Sequence, residues 1–129
     1  MNKLDKESII GISALLVHAA NIDEIYSDHE KDLIKNFIKS YLENGDPNEF
    51  LKKAEEVEKN SNQLLNYTNI IKQNSTDIKK DIIEHLWKVI ISDNTVDQYE
   101  SNLMRRICGL IYFPDKECAE IKLKLIDNK

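Results

Sequence analysis

Apolar residues recur along this chain every three or four positions, and strict alternation with polar residues is nowhere sustained, so the pattern predicts an all-α protein. Ile9, Ile12, Leu16, Ala19 and Ala20 form a first stripe that ends near Ile22. Leu33, Ile34, Phe37, Ile38, Tyr41 and Leu42 form a second, stopped at Asn44-Gly45, where glycine suits the C′ position beyond a helix. Asp46-Pro47-Asn48-Glu49 then reads as an N-cap, a proline in the first helical position and a capping-box glutamate. The helix opened there is expected to be short, with the charged run Lys52 to Lys59 as a solvated face and Asn60-Ser61-Asn62 as its break. A fourth helix carries Leu64, Leu65, Ile70 and Ile71. Ser75 or Thr76 caps a fifth, whose buried face is Ile78, Ile82, Ile83, Leu86, Val89 and Ile90. A sixth runs from about Asp97 with Leu103, Met104, Ile107, Leu110 and Ile111, and Pro114 opens a seventh holding Cys118, Ile121, Leu125 and Ile126. Seven helices with short links predict a compact bundle.

At 129 residues the chain is expected to form one domain over 1–129, burying roughly two thirds of its unfolded surface. No apolar run is long enough to span a bilayer. The three glycines, Gly11, Gly45 and Gly109, are too far apart for a GxGxxG turn or a phosphate-binding loop, which excludes dinucleotide folds and P-loop NTPases. The net charge is −5, with 8 basic against 13 acidic residues up to Leu64 and 10 against 10 beyond it, which argues against nucleic acid as a partner. The start Met1-Asn2-Lys3-Leu4-Asp5-Lys6-Glu7 is too charged for a secretory signal, so a cytoplasmic location with reduced thiols is expected. Cys108 and Cys118 make no CxxC, which leaves a thiolate zinc site little support, and Cys108 reads as a small core residue. His18, His29 and His85 are dispersed and form no HExxH. His29 reads as a solvated histidine rather than a ligand, and His85 as a packed or surface side chain. Trp87, inside an apolar helix, is expected to pack with its N–H satisfied nearby, and Arg105-Arg106 to lie on the surface.

An offset of 70 residues superposes two helix–loop–helix patterns, at about 9–43 and 79–113. Leu16 falls on Leu86, Asp23 on Asp93, Glu30 on Glu100 and Leu33 on Leu103. Each copy is an apolar helix end, an aspartate, six residues, a glutamate and a new apolar helix. This doubled element resembles the TerB-like family of tellurite-resistance-associated proteins, whose hallmark is a twice-used Ala-Asp-Gly-x5-Glu element between helices. The likeness covers nearly the whole chain, including Leu86-Trp87-Lys88-Val89 ahead of Asp93. The resemblance implies an all-helical pseudo-repeat domain with a divalent-metal site made by those acids, and a stress-response or tellurite-linked role. The family glycine after each aspartate is here Glu24 and Asn94. Asparagine tolerates the left-handed conformation and glutamate does so poorly, so the first loop is expected to be reshaped.

The glutamates also have a purely structural reading, because Ser27-x-x-Glu30 and Asp97-x-x-Glu100 both show capping-box spacing. The aspartates are less easily explained. Asp23 and Asp93 fall where the preceding helix should end, and a carboxylate there opposes the helix dipole by roughly 0.3–1 kcal/mol. The next helix N-terminus, a lysine or a bound cation would offset that repulsion. The all-oxygen donors Asp23, Glu30, Asp93 and Glu100, with Asp97 and Asp28 as helpers, suit a hard divalent cation, Ca²⁺, Mg²⁺ or Mn²⁺ in preference to Zn²⁺. The two loops either converge on one site or form two. An EF-hand is disfavoured, since its loop needs a glutamate at position 12 and a glycine at 6, while the span here is eight residues. The expected function is therefore a non-enzymatic, cation-binding TerB-like domain with protein partners at the membrane surface and no small-molecule substrate. The alternative is a helical protein-interaction module in which the acids are only caps and the acidic surface recruits a basic partner.

Overall fold

The structure, a computed structural model, describes residues 4–21, 27–60, 64–91 and 98–127, without the side chains of 64–66 and 98–100. Among the described residues there is no strand, and the helices are α1 (Lys6–Ala20), α2 (Asp28–Tyr41), α3 (Pro47–Asn60), α4 (Leu64–Lys72), α5 (Thr76–Ile91), α6 (Gln98–Leu110) and α7 (Asp115–Asp127). No helix among them is long and apolar enough to cross a membrane. The all-α expectation holds.

α1 is the centre of the bundle. Asp5 caps it by accepting the Ser8 N–H at 2.7 Å, a bond that holds its carboxyl below the usual carboxylate range. Beyond the first turn the helix is buried from Gly11 through Val17, because α2, α3, α4 and α5 all pack against it. Gly11 lets Ile70 of α4 seat against the α1 backbone, where a β-carbon would collide with the isoleucine. The second hub is α5, which packs on α1, α2, α4 and α7. Ser75 Oγ accepts the Ile78 N–H at 3.3 Å, so Ser75 and not Thr76 is its cap. All six residues expected on its inner face are buried, joined by Trp87 and Ile91.

Three local expectations need correction. α2 ends at Tyr41 with extended Leu42 as its cap, so Gly45 is not the C′ residue. Gly45 instead takes φ +132° later in the turn, where its missing β-carbon leaves room beside Phe50 and Leu42. Asp46 does cap α3, its Oδ1 accepting the Asn48 N–H at 3.0 Å with Pro47 in the first position, but Glu49 pairs forward with Lys53 at 3.6 Å rather than closing a capping box. Nor is α3 short. Its 14 residues are held by Phe50, Leu51 and Ala54, buried against α1 and α2, so a narrow apolar face suffices under a charged exterior.

α7 is the least enclosed helix at its far end: Cys118 and Ile121 are buried, whereas Leu123 and Ile126 are exposed. α5 starts 70 residues after α1, and α6 70 residues after α2. The pairing of units 9–43 and 79–113 within one domain is a proposal that this spacing supports.

Candidate functional site

The acidic loops lie between α1 and α2 and between α5 and α6. At the first, α1 closes on Asn21, whose N–H donates to the Val17 and His18 carbonyls at 3.0 and 3.2 Å. Glu58 of α3 comes to the same end. Its Oε1 accepts from Asn21 Nδ2 at 3.5 Å and lies 3.9 Å from His18 Nδ1. A carboxylate from α3 thus stands beside the α1 end that precedes Asp23 in the chain. Sequence reasoning placed Glu58 on a solvated face, yet Leu51, Ala54 and Glu58 share one side of α3 by their spacing of three and four residues.

Glu30 closes a complete capping box. Ser27 Oγ accepts the Glu30 N–H at 3.2 Å, while Glu30 Oε1 accepts the Ser27 N–H at 2.8 Å and the Ser27 hydroxyl at 3.1 Å. Those bonds and the positive end of the helix dipole let a carboxylate sit only 6% exposed. Asp28 and His29, in the same first turn, are exposed. Asp23, Asp93 and Asp97 lie outside the described residues, so the Asp97 cap expected for α6 does too. Of Glu100 only the backbone is described, at the third position of α6, just as Glu30 is third in α2. Among the described residues no three His, Cys, Asp or Glu side chains are grouped to hold a metal ion. The oxygen chemistry of the expected donors fits a hard cation, and Glu30 and Asp28 alone of the six are described with side chains.

Two polar clusters are built on α5, and the first of them was not foreseen. Tyr41 Oη donates to Asp81 Oδ2 at 2.6 Å, and His85 Nε2 lies 3.7 Å from Asp81 Oδ1. His85 is packed, not superficial: its ring meets Phe37 edge-on with centroids 5.1 Å apart. Burial, then the Asp81 carboxylate, pushes the Tyr41 phenol above its ordinary range, and burial lowers His85 against the pull of Asp81, with Lys88 adding to the lowering. Two residues beyond His85, Trp87 Nε1 donates to the Cys118 carbonyl at 3.1 Å and to its Sγ at 3.3 Å, which meets the expectation of a satisfied indole. Cys108, as expected, is in the core.

The helical architecture agrees with the resemblance drawn from the doubled aspartate–glutamate element, whose glutamates both fall at the third position of the helix that follows the loop. Over residues 10–123 the chain matches the family model described as tellurite resistance protein TerB. The chain belongs to the TerB family. No curated protein and no solved structure matches it. The TerB match spans α1 to α7 almost completely and so includes both acidic loops, the Tyr41–Asp81–His85 cluster and the two cysteines.

Proposed function

We propose that this TerB-family protein is a non-enzymatic cytoplasmic domain that binds a divalent cation through Asp23, Glu30, Asp93 and Glu100, with Asp28 and Asp97 as helpers. Ca²⁺, Mg²⁺ or Mn²⁺ is favoured over Zn²⁺ because the donors are all oxygens. It would serve a stress-response or tellurite-linked role with protein partners at the membrane surface, and neither nucleic acid nor a small-molecule substrate is invoked. The observation that supports this reading most is the sheltered carboxylate of Glu30 at the third position of α2, with Glu100 at the same position of α6. Each follows its aspartate by the same interval, so each loop carries two acids where one helix ends and the next begins. A cation converts the repulsion between those aspartates and the helix dipole into binding energy.

Calorimetric titration of chelator-treated protein with each cation, alongside melting curves, tests this. A cation that binds only the folded chain raises the melting temperature. The double change Asp23→Asn plus Asp93→Asn is expected to abolish that rise and to be neutral or stabilising in the metal-free state.

The complete capping box favours a second reading, the interaction module, since it gives Glu30 a structural task without a metal. Under that reading no cation shifts the melting curve and the metal-free double variant unfolds more easily. Ser27→Ala is expected to cost about 1 kcal/mol in the metal-free state under either reading, by the usual worth of an N-cap.

A further inference from the structure

α7 carries two adjacent apolar stripes, and the bundle covers one of them. Cys118 and Ile121 are buried in the core and Leu125 packs half-buried against it. Ala119, Lys122, Leu123 and Ile126 follow the i, i+3, i+4, i+7 spacing of a second side. On that side Leu123 is 58% and Ile126 41% exposed, two of the four large apolar side chains exposed among the described residues. A lone exposed leucine is ordinary, but this pair continues the wall of a cavity.

The cavity, of about 530 Å³, opens where α6 and α7 lie over α5. Trp87 of α5 and Met104 of α6, both buried, form its floor, and exposed Ala119 stands on the α7 wall. Arg105 from α6 and Lys122 from α7 place a cation on each wall, and Asp115 supplies the one carboxylate of the lining. Lys122 Nζ stands 5.3 Å from the Trp87 ring centroid. Neither cation has a carboxylate within ion-pair distance among the described residues. A tryptophan, a methionine and an arginine around one concavity form the composition of an interface centre, not of average surface.

We propose that this α6–α7 groove is a docking site for an acidic amphipathic helix of a partner protein. A large apolar side chain of that helix enters the cavity over Trp87, and its carboxylates meet Arg105 and Lys122. From Asp115 to Ile126 the α7 side runs about 16 Å at the helical rise, which matches a partner helix of about three turns. Charge complementarity sets the sign of the partner. A chain of net charge −5 repels an acidic segment on average, so the two groove cations decide where it lands. An anionic bilayer suits this face less, because the apolar floor lies at the bottom of a concavity and Asp115 stands among the cations. The proposal invokes none of the six acidic-loop residues, so it and the cation reading stand or fall separately.

The test selects a tryptophan-free random peptide library of about twelve residues against the full-length chain. Binding of the selected peptides is then followed through the emission of Trp87, the only tryptophan of the chain. Expected are peptides with leucine or phenylalanine at helical spacing flanked by aspartate and glutamate, which shift the indole emission and bind several-fold more weakly as salt rises. Arg105→Glu with Lys122→Glu, neither residue being buried, is expected to weaken binding about tenfold, and Leu123→Ser about fivefold. The salt series needs no variant to fold, and a melting curve checks each variant. The proposal is overturned if the selected peptides are basic or uncharged, if the charge-reversed chain binds them as tightly as the wild type, or if none moves the Trp87 emission. A chain that sediments as a dimer until Leu123→Ser disperses it assigns the stripe to a second copy. Phosphatidylglycerol vesicles that capture the wild type but not Leu123→Ser assign it to a membrane, and either result also overturns the proposal.

Discussion

On α5, Asp81 and His85 face α2 while Trp87 faces α7, and the two clusters keep polar groups in a helical core by different means. Toward α2 the central group is a carboxylate, and its side chain remains 34% exposed. The charge stays partly in water, and Tyr41 reaches it from the buried side. Toward α7 there is no carboxylate in the hydrogen-bonded set. The indole N–H is shared between a carbonyl and a polarisable sulfur, which satisfies a donor at depth without burying an ion. The first cluster ties residues 40 apart in sequence and crosses from α2 to α5; the second closes within the last part of the chain. A charged tie is tolerated at the rim of the core, and a neutral, adaptable one where water is excluded.

The largest effects would come from the aromatic rings that carry the two clusters. Phe37→Ala and Trp87→Ala are each expected to cost about 3–5 kcal/mol in urea unfolding, as for other large-to-small core changes. Near-equal losses would show that both clusters rest on comparable core, whereas a loss below about 1 kcal/mol at Trp87 would remove the α7 side of the comparison. Tyr41→Phe should cost about 1–2 kcal/mol, toward the lower part of the range for a hydrogen bond to a charged group because Asp81 keeps access to water. No loss at all would mean that the charged tie contributes nothing.

The third prediction concerns pH. His85 titrates below its ordinary 6.5 in the folded chain, so between that value and its folded one the unfolded chain binds a proton that the folded chain refuses. Stability therefore declines as pH falls from 6.5 through the folded value and is fully present above 6.5. His85→Gln should flatten this acid-side decline, and Asp81→Asn, by removing the carboxylate that pulls the other way, should steepen it. An unchanged pH profile in both variants would place His85 in solvent.

The smallest expected effect lies at the turn that serves the α7 cluster. Tyr112 is 73% exposed and holds a left-handed φ of 60°, which costs a non-glycine residue about 1–2 kcal/mol. Lys72 Nζ sits 4.7 Å from its ring centroid, a contact worth about 0.5–1 kcal/mol. Tyr112→Gly should therefore change thermal stability by less than about 1 kcal/mol, in the stabilising direction. A clear loss would show that the α4 contact, not the backbone, decides this residue.

Much of the helical plan was legible because its causes are local. Ser27 with Glu30, Asp46 with Pro47, and Ser75 announce helix starts through bonds that span two or three residues. Of the acidic site, the Ser27–Glu30 box was readable for that reason. What Glu58 does at the end of α1 was not, because its partners His18 and Asn21 lie some 40 residues earlier in the chain. The length of α3 was misjudged from its charge, since the burial of Phe50, Leu51 and Ala54 depends on α1 lying across them.

By itself, then, the sequence determined the class, the seven helices, the caps at Ser27, Asp46 and Ser75, and the TerB likeness, all of which depend on periodicity and short-range hydrogen bonds. Only the tertiary structure decided that Tyr41 meets Asp81, that Gly11 admits Ile70, and that Cys118 of α7 lies against Trp87 of α5. Those contacts depend on how helices cross and how far each turn rotates its successor. An apolar stripe states that a face is buried, but it does not state against which other face.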